Sequence, residues 1–246
     1  MKFAYGITTV PERRFRELPN TIQSLSVAGF DEPILFIDGI AHDSTNLDYD
    51  QLGLQLIFRG SRVGGYANWV LGLVELYLRN PTADRFVMFE DDLLACIHLH
   101  RYLEGCAYKE MAYYNLLTHN QYIQIIQAVP EGWFPSGQRG LGAVGLMFDN
   151  QTASQLLAYD LLLKNCTTCN RPRSIDGAIC NALSRVGIKE YVHWPSLLQH
   201  TGIESTQGHN YGTVGSFNPE FDPLTFLPGN DYSKTGDKPG EPARVS

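Results

Sequence analysis

The sequence predicts an α/β sandwich, a buried sheet with helices packed on both faces. Three observations carry that class. Short, wholly apolar runs such as Ile34-Leu35-Phe36-Ile37 lack in–out alternation, the pattern of a strand covered on both sides. In the N-terminal half such runs alternate with stretches of helical periodicity, in the order β-α-β-β-α-β. The runs also end abruptly in acidic residues, at Asp38-Gly39 and at Glu90-Asp91-Asp92.

Residues 3–8 read as an opening strand rather than a secretory leader, since no long apolar stretch or small-residue cleavage signal is present. Pro11 and the charged Glu12-Arg13-Arg14 break that strand, and a helix follows from Leu18 or Pro19 to about Ala28. Residues 34–37 and 54–58 are the second and third strands. Residues 68–78 form a helix with Trp69, Leu73 and Leu76 on one stripe, broadened by Val70, Val74 and Tyr77. Pro81-Thr82-Ala83-Asp84 turns the chain into the strand 85–89, the most central in character. A helix over 98–109 precedes strands at 113–117 and 123–126. The Gly- and Pro-rich stretch 130–137 reads as a loop, and 141–148 as a strand in tight backbone contact. A helix over 151–163, a Cys-rich loop, a helix over 176–186 and a short strand at 191–193 complete the pattern. From Gly202 glycine, proline and polar residues dominate, and 234–246 reads as a mobile tail. The 246 residues therefore predict one domain over 1–205 and a partly flexible extension over 206–246.

The chain carries 26 acidic against 19 basic residues, a net charge of −7. That balance argues against an extended nucleic-acid surface, because phosphate binding is largely electrostatic; it suits a pocket that recruits divalent cations. No apolar run reaches about 18 residues, so no membrane span is expected. The five cysteines are an odd number in a chain too large to need stapling, and they predict a reducing, cytoplasmic setting. Cys166-Thr167-Thr168-Cys169 has the spacing of half a zinc site, but no second pair accompanies it, so structural zinc is not expected.

Glu90-Asp91-Asp92 is the strongest local signal. Ligands of open α/β sheets bind outside the carboxyl ends of the strands, and three acids there are costly unless something positive neutralises them. A divalent cation with oxygen ligands, Mg²⁺ or Mn²⁺, meets that need; a helix cap with acids in its first turn is the competing reading. His200 could complete a metal shell or contact a diphosphate, or be structural; His209 has less support, and His193 sits in a strand pattern and reads as packed. Ser174 or Asp176 caps the helix that follows, or Asp176 acts as a general base toward an acceptor hydroxyl. Arg59 and Arg62, with glycines directly before a helix, could hold a diphosphate, although the spacing is not that of a phosphate loop. Asn68 is either that helix's cap or a reader of a nucleotide base. Thr8 and Thr9 end the first strand beside the same nucleotide, and Asp38 ends the second, where ribose contact and capping compete. Trp133 is either a stacking residue over an acceptor or an anchor for its loop.

Taken in order, these segments resemble the nucleotide-sugar-dependent glycosyltransferases of the GT-A fold. Phe86-Val87-Met88-Phe89-Glu90-Asp91-Asp92-Leu93 is similar to the strand and acidic motif of the N-acetylglucosaminyltransferase I group. Pro195-Ser196-Leu197-Leu198-Gln199-His200-Thr201-Gly202, followed by Ser205-Thr206, resembles the Pro-Ser-Leu-x-Gln-His-x-Gly segment near the end of several such domains. The resemblance implies a single Rossmann-like α/β/α sandwich with a mixed central sheet. It implies Asp92 as direct ligand of Mn²⁺ or Mg²⁺, with Asp91 and Glu90 supporting the ribose or the coordination; His200 stays open between the metal and the diphosphate. Gly142, in Gly140-Leu141-Gly142-Ala143-Val144-Gly145-Leu146, would lie beside the donor sugar, and Asp176 where an acceptor-activating carboxylate is often found. The tryptophan-rich surroundings of that carboxylate in the family are missing here. A short form of such an enzyme fits a bacterial or viral cytoplasm.

The implied activity is transfer of a sugar from a nucleotide-sugar, a UDP-sugar first, to an acceptor hydroxyl, with inversion if Asp176 is the base. Glycan, protein, lipid-linked and modified-nucleobase acceptors all stay open. A nucleotidyltransferase would place a Gly-rich, lysine-containing loop after the first strand, where this chain reads Thr8-Thr9-Val10-Pro11-Glu12-Arg13-Arg14. A non-enzymatic carbohydrate-binding module would usually be all-β and would not need the acidic triplet.

Overall fold

The structure is a computed structural model describing residues 1–13, 15–39, 52–122, 131–168, 174–202 and 217–225. Its strands are β1 (Phe3–Thr9), β2 (Ile34–Ile37), β3 (Leu56–Phe58), β4 (Arg85–Glu90), β5 (Leu93–Ala95), β6 (Ala112–Asn115), β7 (Gly132–Pro135), β8 (Gly145–Asp149), β9 (Lys189–Trp194) and β10 (Leu198–His200). Its α-helices are α1 (Glu17–Val27), α2 (Gly65–Arg79), α3 (Leu99–Gly105), α4 (Asn150–Leu157), α5 (Asp160–Thr168) and α6 (Ile175–Ser184). Eight strands form one sheet in the order β3-β2-β1-β4-β8-β6-β9-β7, and β5 and β10 form a separate antiparallel pair. The first four strands in that order are parallel. β8 runs against both β4 and β6, so the sheet is mixed.

The apolar runs are buried on both faces, as their composition predicts. In β2, Ile34 and Phe36 pack with Trp69, Val70 and Leu73 of α2, while Leu35 and Ile37 pack with Leu18 and Leu25 of α1. β4 divides the same way, Phe86 and Met88 to one face, Val87 and Phe89 to the other. Each such side chain contributes roughly 1.5–3 kcal/mol, which makes β1, β2 and β4 the rigid part from which the site projects. The chain proceeds from β1 outward to β2 and β3, then returns to lay β4 on the other side of β1. This reversal is a topological switch point, where open α/β sheets leave a crevice outside the strand ends.

Several elements differ from expectation for identifiable reasons. The stretch 130–137 contains β7, an edge strand paired antiparallel with β9; Pro135 is tolerated there because an edge leaves one side of the backbone unpaired. The expected strand at 141–148 begins only at Gly145, because the carbonyls of Leu141 and Gly142 accept from Asn115 Nδ2 instead of a neighbouring strand. The single helix expected over 151–163 is two. Buried Leu156 and Leu162 lie six residues apart, about 120° around a continuous helix, and the break at Ala158-Tyr159 lets both be buried. α2 begins at Gly65, three residues before the expected start. β5 and β10 are three residues each, too short for periodicity to reveal. The expected strand at 123–126, Cys169, the domain boundary at 205, His209 and the tail at 234–246 lie outside the described residues. Among the described residues, no helix is long and apolar enough to cross a membrane.

His193 is fully buried in β9. Its Nδ1 donates to the Pro195 carbonyl at 2.7 Å, which leaves Nε2 to accept from the Tyr102 hydroxyl at 2.8 Å. Trp133 packs edge-on against this ring and against Tyr114, so it anchors β7 in the core. Burial pushes the His193 imidazole down to about 4, only partly offset by the Pro195 carbonyl. Between pH 6.5 and 4 the unfolded chain therefore binds a proton that the folded chain refuses. This contribution to stability is complete above pH 6.5 and is lost as pH falls through that window, on the order of 3 kcal/mol in all. In urea melts at pH 7 and pH 4.5, the stability gap between wild type and His193→Gln should narrow at the lower pH. An unchanged gap would contradict the neutral, buried assignment.

Candidate functional site

The site is built at the switch point from three segments. β1 ends at Thr9 and runs into a short 3-10 turn, Pro11–Arg13. β4 ends at Glu90 and delivers Asp91 and Asp92. β10, paired antiparallel with β5, delivers His200 opposite Leu93. The acidic turn is fixed by its backbone. The Thr21 hydroxyl of α1 donates to the Asp91 carbonyl at 2.8 Å and accepts from Leu93 N at 3.0 Å, and Thr201 N donates to the Asp92 carbonyl at 2.8 Å.

The three acids face different neighbours. Asp91 is buried and accepts from the Thr9 hydroxyl and from Arg13 Nη1, both at 2.5 Å. The same Arg13 nitrogen reaches Asp92 Oδ2 at 2.7 Å, and His200 Nε2 lies 3.3 Å from that oxygen. Glu90, Asp92 and His200 each offer one ligand atom, and these atoms lie within 4.8 Å of one another. Among the described residues, Asp92 Oδ1 is buried without a hydrogen-bond partner, a costly state for a carboxylate oxygen unless a cation meets it. Gly202 lies against this group. A Cβ there would fall 2.9 Å from His200 Cε1 and closer still to Asp92 Oδ2, so only glycine leaves the space open.

Electrostatics agrees with the geometry. Burial pushes Glu90 up to about 8, reinforced by the charges of Asp92, Asp91 and Asp176 and opposed by Arg13. Burial likewise lifts Asp91 to about 6 against the pull of Arg13. For Asp92 burial is again the largest influence, but the hydrogen bond and charge of His200, with Arg13, hold it below the ordinary carboxylate range. Glu90 thus keeps its proton at neutral pH, and a cation entering the cluster would displace it. Two or three oxygens and one imidazole nitrogen form a donor set that suits Mn²⁺ or Mg²⁺.

Arg13 is the residue of the candidate site that sequence reasoning missed. Glu12-Arg13-Arg14 reads as a charged break after a strand, and only the pairing of β1 with β4 brings it to acids 78 and 79 positions away. Its removal would leave Asp91 and Asp92, with side chains 5% and 4% exposed, short of their main cation. We expect Arg13→Met to cost about 3 kcal/mol, and Mn²⁺ to restore part of the lost melting temperature. A variant that melts equally with and without Mn²⁺ would count against a cation site at Asp92.

The other residues singled out from sequence are placed as follows. The Thr8 hydroxyl donates to the Phe89 carbonyl at 3.3 Å, and Thr8 pairs in register with Glu90. Asp38 accepts from the backbone of Val63 at 2.7 Å and of Gly64 at 3.0 Å, anchoring the start of α2. Asn68 is buried inside α2; its Nδ2 donates to the Phe36 carbonyl at 2.8 Å and its Oδ1 accepts from Arg59 Nε at 2.9 Å. These two bonds make Asn68 a bracket between α2 and β2 and use one of its two N–H donors and one of its two acceptor sites. Arg62 forks onto Glu12 and ties the loop before α2 to the turn that carries Arg13.

Ser174 caps α6 by accepting from Gly177 N. The cap is therefore Ser174, and Asp176 sits in the first turn. Its Oδ1 accepts from Gly177 N at 2.8 Å and its Oδ2 from Gly142 N at 2.6 Å. Gly142 has φ +81°, a conformation that favours glycine. Asp176 is half-buried, and its charge is felt at Glu90.

No family model matches the chain, and no curated protein matches its sequence. Its fold does match a solved one. The structure is similar to the crystal structure of GalNAc-T7 with UDP, GalNAc and Mn²⁺, with a TM-score of 0.57 and 11% sequence identity over 78% of this chain. The match spans 42% of that chain, less than half its length. The architecture is thus a GT-A-like α/β sandwich with a mixed central sheet, and its crevice carries a candidate metal cluster.

Proposed function

We propose that this chain is a metal-dependent glycosyltransferase that moves a sugar from a nucleotide-sugar, in the first instance a UDP-sugar, to an acceptor hydroxyl. The observation that carries the reading is the convergence of Glu90, Asp92 and His200 at the switch point of the sheet. The GT-A-like fold supports it, as does the UDP and Mn²⁺ named with the solved structure that the chain resembles.

In this reading Asp92 and His200 hold the metal, with Glu90 beside them in the manner of the Glu-Asp-Asp motif of the N-acetylglucosaminyltransferase I group. A bound Mn²⁺ or Mg²⁺ supplies Lewis-acid neutralisation of charge on the departing nucleotide diphosphate. Asp91, held by Thr9 and Arg13, keeps the acidic turn in place. Thr8 and Asp38 stand at the ends of neighbouring strands, Asp38 acting through the loop it holds. Asp176, held by two backbone N–H groups, takes the proton of the attacking hydroxyl. With a base on that face, the sugar is transferred in a single displacement with inversion.

The test is a donor-hydrolysis screen across UDP- and GDP-sugars, with Mn²⁺ and with chelator. Turnover of at least one sugar nucleotide that disappears on chelation is the expected result. Equal turnover with chelator would remove the metal from the mechanism. Release of pyrophosphate from a nucleoside triphosphate, with every sugar nucleotide left intact, would favour a nucleotidyltransferase instead.

A further inference from the structure

Glu190 is an acid in β9 that the proposed reaction does not use. Its side chain is 1% exposed, and every neighbour it meets by hydrogen bond is a donor. Oε2 accepts from the Ser136 hydroxyl at 2.5 Å and from Gly140 N at 3.1 Å, and Oε1 accepts from Asn115 Nδ2 at 3.3 Å. The same Asn115 nitrogen donates to the carbonyls of Leu141 at 3.0 Å and Gly142 at 2.8 Å. Two side chains from adjacent strands thus grip successive peptide groups of the segment Gly140-Leu141-Gly142. The grip would not be needed to complete the sheet, since that segment belongs to no strand.

The segment leads to Asp176. Gly142 N, two residues beyond Gly140, donates to Asp176 Oδ2 at 2.6 Å. Gly140 lies directly on the first turn of α6: a Cβ at that position would sit 2.6 Å from Cys180 Cβ and 2.9 Å from the Asp176 carbonyl. The strap can therefore shift little without moving either Asp176 or its hydrogen bond. We infer that Glu190, with Asn115, is a positioning residue that sets the direction of the Asp176 carboxylate through the strap Gly140-Leu141-Gly142. This assignment rests on the reading of Asp176 as the base.

The experiment compares wild type with Glu190→Gln, Ser136→Ala and Asp176→Asn. Its readouts are amide hydrogen exchange, UDP affinity in Mn²⁺, and transfer from UDP-sugars to a panel of nitrophenyl glycosides. In Glu190→Gln an amide replaces one acceptor oxygen, and exchange at Gly142 N should accelerate about tenfold, the worth of one hydrogen bond. Exchange at Met88 of β4 and UDP affinity should stay within twofold. Transfer kcat should fall about tenfold with the donor KM unchanged, and Glu190→Gln should add nothing in an Asp176→Asn background. Ser136→Ala, which removes one donor to Glu190 and keeps the carboxyl, should show the same selective pattern at roughly threefold; it carries the test if the glutamine variant does not fold. Unchanged exchange at Gly142, acceleration spread equally over β4, or losses that add to those of Asp176→Asn would overturn the proposal. Full transfer by Asp176→Asn would instead sink the base reading itself, and selective exchange at Gly142 would then report a strap serving some other end.

Discussion

Asp92→Ala is expected to lower metal-dependent turnover of the sugar nucleotide by roughly 10³-fold, because several kcal/mol of charge stabilisation go with the metal and each 1.4 kcal/mol or so is a factor of ten. Asp92 is the residue on which the cluster converges. Its Oδ2 is shared by Arg13 and His200, and its Oδ1 is buried with no partner among the described residues. Removing it takes away one of the carboxylates that Arg13 holds and opens the space beside Gly202. The loss should fall on Mn²⁺ affinity first, seen as a right-shifted Mn²⁺ dependence of turnover before the maximal rate is lost. The fold should survive, since the β4 core from Phe86 to Phe89 is untouched. A variant with wild-type Mn²⁺ dependence would place the metal elsewhere.

Asp176→Asn is expected to behave differently. Asparagine keeps the size of the side chain and an oxygen for one of the two backbone donors, but it cannot take a proton from a hydroxyl. Positioned general bases are worth roughly 10²–10⁴ in rate, and transfer should fall in that range. Binding of UDP with Mn²⁺ should stay near wild type, because Asp176 hydrogen-bonds Gly142 and Gly177 rather than the cluster, which feels it through its charge at Glu90. Steady-state transfer beside calorimetric UDP binding separates the two. Unchanged transfer would take Asp176 out of the chemistry and direct the search to a retaining mechanism.

What the sequence disclosed, and what it did not, follows from the range of the forces involved. β2 and β4 were legible because burial on both faces writes itself into four or more consecutive apolar residues. The acidic turn was legible because Glu90-Asp91-Asp92 breaks that run in one step. Arg13 was not, because its meaning comes from the pairing of β1 with β4, and a charged tripeptide after a strand carries no local sign of it. Asn68 could be read from sequence as a cap or as a base contact; the cap falls instead to Gly64, because α2 begins three residues earlier, and the Asn68 amide bridges Arg59 and Phe36. β7 was hidden by Pro135, whose exclusion from strands holds for central positions and not for an edge. Ser174 and Asp176 competed for one cap in the sequence; the structure gives the cap to Ser174 and leaves Asp176 facing Gly142.

The central claim is that the crevice between β1 and β4 binds a nucleotide diphosphate through a metal held at Asp92 and His200. Calorimetric titration of UDP into the protein, once with Mn²⁺ and once with chelator, tests it most directly. Binding is expected with Mn²⁺, with a loss of at least about a hundredfold in affinity under chelation and the same loss in Asp92→Ala. UDP binding of equal affinity in all three conditions would contradict the account.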